Sequence, residues 1–206
     1  YEARKAALRV AMRPLIICNR RGEWMMFSYK VDEEIVLRLL EQADAAPFFA
    51  VVDRNRAHLR EWLPWVDNMN KPEDYQPVLA AWRKQFAEEN GFQAGIFYKG
   101  KIAGMIGFHG IDRANRSTEI GYWLAKEYEG RGIMTRACRA LIDYAFHHLD
   151  LHRVVIRCAT ENRKSRAVPE RLGFVHEGTL RDAQWLYDHF VDVEIYSLLK
   201  TDASKS

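Results

Sequence analysis

The sequence predicts one mixed α/β (α+β) domain, built around a central, mostly antiparallel sheet. Its 206 residues suffice for one sizeable domain. A Lys99-Gly100 turn separates two apolar runs, which is the pattern of a β-hairpin. A strand, a glycine turn and an amphipathic helix then follow in "YWLAKEYEGRGIMTRACRALIDYAF". The predicted order is one strand, helices, three antiparallel strands, a helix, a strand, a helix and two strands.

The amino-terminal half supplies the first strand and the first helices. "EEIVLRLLE" (33–41) is rich in β-branched residues and leucine and predicts a strand. Residues 43–66 are predicted to be helical, with Pro64 ending the last segment. Residues 71–90 form another predicted helix, because apolar residues recur at helical spacing and Gly91 follows its end.

The carboxyl-terminal half alternates strands and helices. "RANRSTEIGYWLA" adds a third strand beside the hairpin, and the helix after the glycine turn has one broad apolar face. "HRVVIRCAT" predicts a strand, and "SRAVPERL" predicts a short helix closed by Gly173. "FVHEGTLRDA" and "FVDVEIYSLLK" predict the last two strands.

Composition excludes several classes of function. The formal net charge of +3 comes without the basic stripe that marks a nucleic-acid-binding domain, so no direct nucleic-acid binding is expected. Cys18, Cys138 and Cys158 form an odd set without metal-ligand spacing, which favours a reducing, cytoplasmic location. No apolar run approaches the roughly 18–20 residues that span a bilayer, so no membrane association is expected.

Residues 1–25 are predicted to be a leader separate from the domain at 26–200, and 201–206 to be a flexible polar tail. The leader shows no clear period, and Met25 and Met26 open a stretch that reads as an ordinary start. "RRGE" can be encoded by a purine run like a bacterial ribosome-binding site, which suggests translated upstream sequence; the coding DNA would decide this. The alternative, a secretory signal, lacks a clean apolar core because Arg13 and Pro14 interrupt it.

The glycine turn has the chemistry of an anion site. Gly130 and Gly132 flank Arg131 at the start of a helix, and Thr135 adds a hydroxyl. A helix N-terminus presents unpaired amides and partial positive charge, and glycines let a backbone approach a phosphate closely. A G-x-G triplet by itself is a weak signal, and a simple tight turn between strand and helix explains it equally well.

Two longer motifs, in this order, make the turn more informative. "EIGYWLAKEYEGRGI" and "NRKSRAVPERLGFVHEG" resemble the GNAT acetyltransferases, and in particular the RimJ/RimL branch of ribosomal-protein N-terminal acetyltransferases. "LREWLPWV" and "YSLL" support the resemblance, which covers residues 35–200, and "SRAVPERLGF" is similar to Bacillus-type relatives of that branch. The resemblance implies a single GNAT-like domain with helices on both faces of the sheet and two splayed central strands, between which acetyl-CoA lies. It also implies a homodimer and no metal.

The resemblance assigns residues to the cofactor. The family's pyrophosphate loop has Gln or Arg where this chain has Glu129, and a small residue where it has Met134; Gly132 matches the key glycine. The implied set is completed by Trp123 and Leu124, which end the strand before the glycine turn and pair through their backbone with the pantetheine arm, and by an Asn-x-x-Ser beside the thioester. The predicted cofactor-binding residues are Trp123, Leu124, Arg131, Gly132, Ile133, Met134, Thr135, Asn162 and Ser165.

The catalytic assignment departs from family patterns. The tyrosine acid found in many relatives is replaced by Pro169, so Ser165 is the expected acid or thiolate stabiliser; it also fits a helix N-terminal turn. The glutamate base of some relatives is replaced by Gln184, so Glu119, acting through water, is the expected base, the alternative being a surface carboxylate. Cys158 lies where a relative has a reactive cysteine, and we expect it to serve packing.

The acceptor stays open at the level of sequence. Three alternatives fit: a protein α-amino group, a small amine such as a polyamine, aminoglycoside or amino acid derivative, or a non-catalytic acyl-CoA sensor that lost its acid and base. Two roles fit His109: it lines the acceptor pocket, or it is a structural residue of the sheet. The aromatic residues fit either the core or pocket walls (Trp62, Trp65 and Tyr75), or a pocket lid or dimer contact (Trp185 and Tyr187).

Overall fold

A computed structural model describes residues 17–18, 24–25 and 28–203. Most of the predicted leader and the end of the tail, 204–206, lie outside the described residues. Two short strands of the leader, β1 (Ile17–Cys18) and β2 (Trp24–Met25), pair antiparallel. All other described strands form one eight-stranded sheet in the order β3-β4-β5-β6-β7-β8-β10-β9. Their bounds are β3 Ser28–Lys30, β4 Ile35–Leu39, β5 Phe92–Tyr98, β6 Lys101–Asp112, β7 Ser117–Leu124, β8 Arg153–Ala159, β9 Val175–Leu186 and β10 His189–Leu199.

Helices lie where the sequence predicts them; those in segments 43–66 and 71–90 have shorter bounds, and the short helix predicted from Ser165 begins at Arg163. The predicted helical segment 43–66 divides at Asn55, whose side chain donates to Val51 O (3.0 Å) and accepts from Lys126 N (2.9 Å). Lys200 to Ala203 form a helical turn, so the predicted flexible tail begins as helix. The α-helices are α1 Ala45–Arg54, α2 Arg56–Arg60, α3 Tyr75–Ala87, α4 Ile133–Asp143, α5 Arg163–Arg171 and α6 Lys200–Ala203; the π-helical turn Tyr144–His148 extends α4.

The strand pairing confirms the predicted hairpin and its third strand. Tyr98 pairs with Lys101 across the turn, where Lys99 and Gly100 both have positive φ (49° and 79°), the conformation of a tight hairpin turn. β6 pairs antiparallel with β7, and β10 pairs antiparallel with both β8 and β9.

Apolar side chains form a core on each face of the sheet. One core packs α4 against the sheet through residues such as Ile133, Ala137 and Leu141. The other packs α1 and α3 against the opposite face, with Phe48 and Leu79 fully buried. Helices therefore cover both faces, which holds the middle strands rigidly in place. In the part of the chain described, no helix is both long enough and apolar enough to span a membrane.

The middle of the sheet is open. β7 and β8 are its parallel pair, and they pair only from Ser117 to Glu119 on β7. Each strand then continues with its outer neighbour alone, as far as Leu124 opposite Gly104 and Ala159 opposite Val193. The two strands therefore diverge from Glu119 onward, as the family resemblance predicts.

Candidate active site

The glycine loop ends in an uncapped helix N-terminus. Gly130 and Gly132 adopt left-handed backbone conformations, with φ of 73° and 67°, which side chains with a Cβ rarely adopt. Gly132 is the N-cap of α4, and none of the described side chains forms a cap hydrogen bond there. The amides of the first turn of α4 therefore have no partner within the helix and are available to an anion.

A cleft of about 950 Å³ begins at this loop and runs between the diverging strands. All nine residues predicted to bind the cofactor line this cleft, which we call the cofactor cleft. The loop and the start of α4 form one wall, and the start of α5 forms the other. The structure therefore brings these residues together at one cleft, and their binding of the cofactor stays a prediction.

A second cleft, of about 690 Å³, opens on the other side of the diverging strands. We call it the acceptor cleft. Aromatic and apolar side chains of α1, α3 and the loop between α2 and α3 form much of its wall, and Glu119 lies on the sheet side. The two clefts share Trp62, Leu63, Tyr122, Trp123, Asn162 and Ser165.

Ser165 is held firmly where the clefts meet. Its backbone N–H donates to Asn162 Oδ1 (3.1 Å), the side-chain cap of α5. Its Oγ donates to Tyr122 Oη (3.3 Å), and Tyr122 Oη in turn donates to the carbonyl oxygen of Ser165 (3.0 Å). Two hydroxyl groups therefore lie side by side at the junction.

Glu119 lies in the acceptor cleft with both carboxylate oxygens occupied. Its Oε1 lies 3.2 Å from His109 Nδ1, and its Oε2 accepts from Arg157 Nε at 2.8 Å. Burial raises the pKa of Glu119, but the hydrogen bond to His109 and the charge of Arg157 outweigh burial and leave the pKa below its ordinary value. The carboxylate is therefore ionised at neutral pH, and its negative charge is compensated by Arg157.

Glu129, the departure from the family's loop, bridges the mouth of the cofactor cleft. Its Oε2 accepts from Lys164 Nζ of α5 at 2.5 Å, and its Oε1 lies 3.5 Å from His58 Nε2 of α2. The carboxylate thus forms an ion pair with Lys164, whose ammonium group would otherwise face the cleft unpaired. It also places a negative charge beside the anion site.

The other polar side chains of the loop are also held. Arg131 donates to Glu127 O (3.0 Å), and its guanidinium carbon lies about 6 Å from the rings of Tyr98 (6.0 Å) and Tyr128 (5.9 Å). Thr135 Oγ1 accepts from Arg171 Nη1 of α5 at 3.0 Å. The anion site therefore rests on backbone amides more than on free loop side chains.

Gln184 and Tyr187 of the β9–β10 hairpin hold the loop that separates the two clefts. Gln184 Nε2 donates to Trp62 O (3.2 Å), and Tyr187 Oη donates to Leu63 O (2.6 Å). The guanidinium of Arg60 stacks on the ring of Tyr187 at 3.9 Å. An amide at position 184 can donate this bond, whereas an ionised glutamate cannot.

Cys158 faces the acceptor cleft as a neutral thiol. Burial raises its pKa to about 11, even though Ser165 and Arg166 act in the opposite direction. A thiol of this kind is a poor nucleophile at neutral pH, because the thiolate is the reactive form.

Sequence reasoning missed two groups at the site. Tyr122 stands directly before the predicted Trp123, but nothing in its sequence neighbourhood shows that its hydroxyl reaches a residue 43 positions away. Lys164 and Arg171 lie on α5 and line the cofactor cleft. The available signal was their i, i+7 spacing, which places them on one face of the helix.

Comparison with known proteins fits this geometry. A family model described as "Acetyltransferase (GNAT) domain" matches residues 34–175. The chain belongs to the GNAT acetyltransferases. YdaF of Bacillus subtilis (strain 168), whose name refers to ribosomal N-acetylation, is 47% identical over 86% of this chain and 97% of its own. The ribosomal-protein-serine acetyltransferase of Escherichia coli (strain K12) is 30% identical over 84% of this chain and 97% of its own.

A solved structure of similar fold contains acetyl-CoA. The microcin C7 self-immunity acetyltransferase MccE, in complex with acetyl-CoA and AMP, has a TM-score of 0.80 and 32% identity over 82% of this chain and 94% of its own. The fold is therefore that of the family, and the sequence-based assignment to GNAT N-acetyltransferases is confirmed.

Proposed function

We propose that this acetyltransferase transfers the acetyl group of acetyl-CoA directly to the α-amino group of a peptide or protein. One observation carries the proposal: two clefts, entered from opposite sides of the diverging strands, share Tyr122, Trp123, Asn162 and Ser165. A donor and an acceptor bound in the two clefts would meet at these four residues. Such alignment can by itself contribute several kcal/mol to lowering a bimolecular barrier.

The cofactor cleft suits acetyl-CoA in charge and shape. The uncapped amides from Arg131 to Thr135 would hold the diphosphate, and the exposed backbone of Trp123 and Leu124 would pair with the pantetheine arm. Asn162 and Ser165 lie at the junction, where the thioester would end. Bound, the cosubstrate supplies the activated acetyl group, and no metal takes part in this proposal.

The acceptor cleft favours a neutral amine. Among the described residues that line it, Glu119 is the single carboxylate, and Arg157 compensates its charge. Polyamines and aminoglycosides carry several positive charges and would meet no surplus of acid here. An α-amino group, with a pKa near 8, is substantially neutral at cellular pH, whereas a lysine side chain, with a pKa near 10.4, is not.

Aromatic side chains would hold the first residues of the acceptor. The ring of Trp123 lies 6.4 Å from that of Trp65 and 5.6 Å from that of Phe48, and the ring of Phe48 lies 5.0 Å from that of Tyr75. Tyr75 is buried in the core and Trp65 packs against that core, and both also line the acceptor cleft. Trp62 is half-buried and lines both clefts.

Glu119 and Ser165 have separate roles in this proposal. Glu119 accepts the excess proton of the attacking amine through water, and its low pKa keeps it ionised for that task. Ser165 donates a hydrogen bond to the thiolate that leaves. The neutral thiol of Cys158 supports direct transfer without an acyl-enzyme.

The acetyltransferase is further proposed to be cytoplasmic and homodimeric. Cys138 and Cys158 are both free, as expected in a reducing compartment. β9 is an edge strand, and it exposes Val175, Leu180 and Trp185. A second copy covering this edge would bury those side chains.

Free thiol released from acetyl-CoA tests the function directly. The acceptors are peptides with a free N-terminus, the same peptides blocked at the N-terminus but carrying a lysine, and spermidine. We expect release with free N-termini only, and a mass increase of one acetyl group. Coenzyme A binding without release from any acceptor would favour the sensor, and fastest release with spermidine would favour the small-amine alternative.

Two variants test the catalytic assignments in the same assay. Glu119→Gln and Ser165→Ala should each lower kcat by about 100-fold or more, in the range of single acid–base groups. Unchanged rates in both variants would reject these roles and leave the cofactor proposal standing.

A further inference from the structure

Pro169 leaves one carbonyl group of α5 without its helical partner. In an α-helix the N–H of residue 169 would donate to the carbonyl oxygen of residue 165, four positions earlier. Proline has no N–H, so Pro169 cannot donate to Ser165 O. Pro169 lies inside α5 and is buried, so the missing donor leaves a gap within the hydrogen-bond ladder of the helix itself.

Tyr122 supplies the missing donor from the neighbouring strand. Its hydroxyl donates to Ser165 O at 3.0 Å, across the gap between β7 and α5. Burial raises the pKa of Tyr122 well above its ordinary value, so the phenol keeps its proton at neutral pH. The carbonyl that Pro169 leaves free thereby fixes where the proton of Tyr122 points.

The direction of this bond decides what Ser165 Oγ can do. The hydroxyl proton of Tyr122 is donated to Ser165 O. The oxygen of Tyr122 can therefore only accept from Ser165 Oγ, which lies 3.3 Å away. The chain of bonds therefore runs from Ser165 Oγ to Tyr122 Oη and back to Ser165 O. It holds the serine hydroxyl at the junction of the two clefts, with its proton directed at Tyr122 Oη.

We propose that Tyr122 is a positioning residue for Ser165 in acetyl transfer, and that Pro169 sets the direction of its hydrogen bond. The proposal rests on the proposed function. The long bond from Ser165 Oγ to Tyr122 Oη is weak enough to be exchanged for a bond to the sulfur. Pro169 cannot act as a general acid, but through the free carbonyl of Ser165 it orients the hydroxyl groups of Tyr122 and Ser165.

The transfer step balances without any other reactant. The amine nitrogen attacks the thioester carbon, the N–C bond forms, the C–S bond breaks, and its electron pair goes to sulfur. The excess proton of the nitrogen leaves through water on the side of Glu119. Ser165 Oγ turns its proton from Tyr122 Oη to the thiolate, which it stabilises by a hydrogen bond until coenzyme A leaves.

The first test measures coupling between the two hydroxyls. Tyr122→Phe should lower kcat by about tenfold, the equivalent of one hydrogen bond of about 1.4 kcal/mol, with the KM for acetyl-CoA within about twofold of wild type. In a Ser165→Ala background the same substitution should have no further effect on kcat. Losses that multiply in the double variant would overturn the proposal, because Tyr122 would then act independently of Ser165.

The second test uses Pro169→Ala, which restores the N–H that competes with Tyr122 for Ser165 O. We expect this variant to melt at a higher temperature, since alanine suits a helix interior better than proline, yet to have a lower kcat, by about threefold. In a Tyr122→Phe background, Pro169→Ala should leave kcat unchanged. A slower, more stable variant is not what loss of structure produces. An unchanged kcat for Pro169→Ala, or an equal loss in the Tyr122→Phe background, would overturn the role of Pro169.

Failure of this proposal and of the proposed function are distinguishable. If wild-type protein releases no thiol with any acceptor, the proposed function fails. If wild-type protein turns over and Tyr122→Phe matches its kcat, the function stands and the positioning role is rejected.

Discussion

Single residues set the charge at the mouth of the cofactor cleft. In the proposed function the loop holds the diphosphate through backbone amides, so the left-handed conformation of Gly130 and Gly132 would be required, whereas loop side chains could vary. Glu129 is such a variation. It pairs with Lys164 and approaches His58, and it would repel a diphosphate bound at the N-terminus of α4. The sequence showed that Glu129 departs from the family, but its partners are 35 and 71 positions away and could not be predicted locally.

Glu129→Gln should therefore bind coenzyme A more tightly. The change removes a negative charge beside the anion site and frees Lys164, so we expect the Kd to fall about three- to fivefold, as for loss of one exposed charge interaction. Isothermal titration at low and high salt measures it, and the gain should shrink as salt screens the charges.

Glu127→Gln is the matched control, because Glu127 is on the same loop but does not line the cleft. An equal gain in that variant, or weaker binding of Glu129→Gln, would contradict the proposed repulsion.

At the scale of elements, polar contacts join strands that the apolar pattern alone would leave free to slide. Arg153 of β8 pairs with Glu177 of β9 through both carboxylate oxygens, and Ser197 of β10 donates to the same carboxylate at 2.7 Å. These strands carry one side of the acceptor cleft and the hairpin that holds Trp62. The sequence predicted these three strands, whereas tertiary packing decided their order in the sheet, which is β8-β10-β9.

Glu177→Gln should destabilise the protein at neutral pH, and the difference should disappear in acid. The hydrogen bonds from Arg153 and then Ser197 lower the pKa of Glu177 from 4.5 to about 2. A lowered carboxyl pKa contributes stability that is fully present above about pH 4.5 and is lost as the pH falls through about 2. Urea unfolding of both proteins at several pH values measures the difference.

Glu33→Gln provides the comparison, since Glu33 forms an ion pair with Lys30 in which both side chains are exposed. A gap between wild type and Glu177→Gln that stays constant down to pH 2 would contradict the role of the carboxylate.

At the scale of the whole molecule, one edge of the sheet is unusually apolar. Trp185 and Phe190 are 49% and 56% exposed, and their rings pack against each other with centroids 4.7 Å apart. The hairpin that carries them also holds the loop between the two clefts through Gln184 and Tyr187. A second copy on this edge would therefore lie close to the acceptor cleft.

We expect wild type to sediment as a dimer, and Trp185→Ser with Phe190→Ser to sediment as a monomer with an unchanged fold. Removing two exposed aromatic anchors takes away much of the apolar area that such an interface would bury. Analytical ultracentrifugation gives the mass, and circular dichroism confirms the fold. Wild-type protein that stays monomeric at every concentration, or a variant that stays dimeric, would refute this edge as the interface.

The sequence by itself determined the order of elements from β4 to β10, the glycine turn before α4 and the membership of the GNAT family, but it did not predict β3. These features depend on local periodicity and on backbone conformations that few residues allow, so they can be read without knowing distant partners. The tertiary structure alone decided that Glu119 faces Arg157, that Glu129 spans the cofactor cleft and that Tyr122 replaces the donor missing at Pro169. Such contacts join side chains from separate elements, and their geometry follows from strand order and the divergence of β7 from β8, which no local pattern encodes.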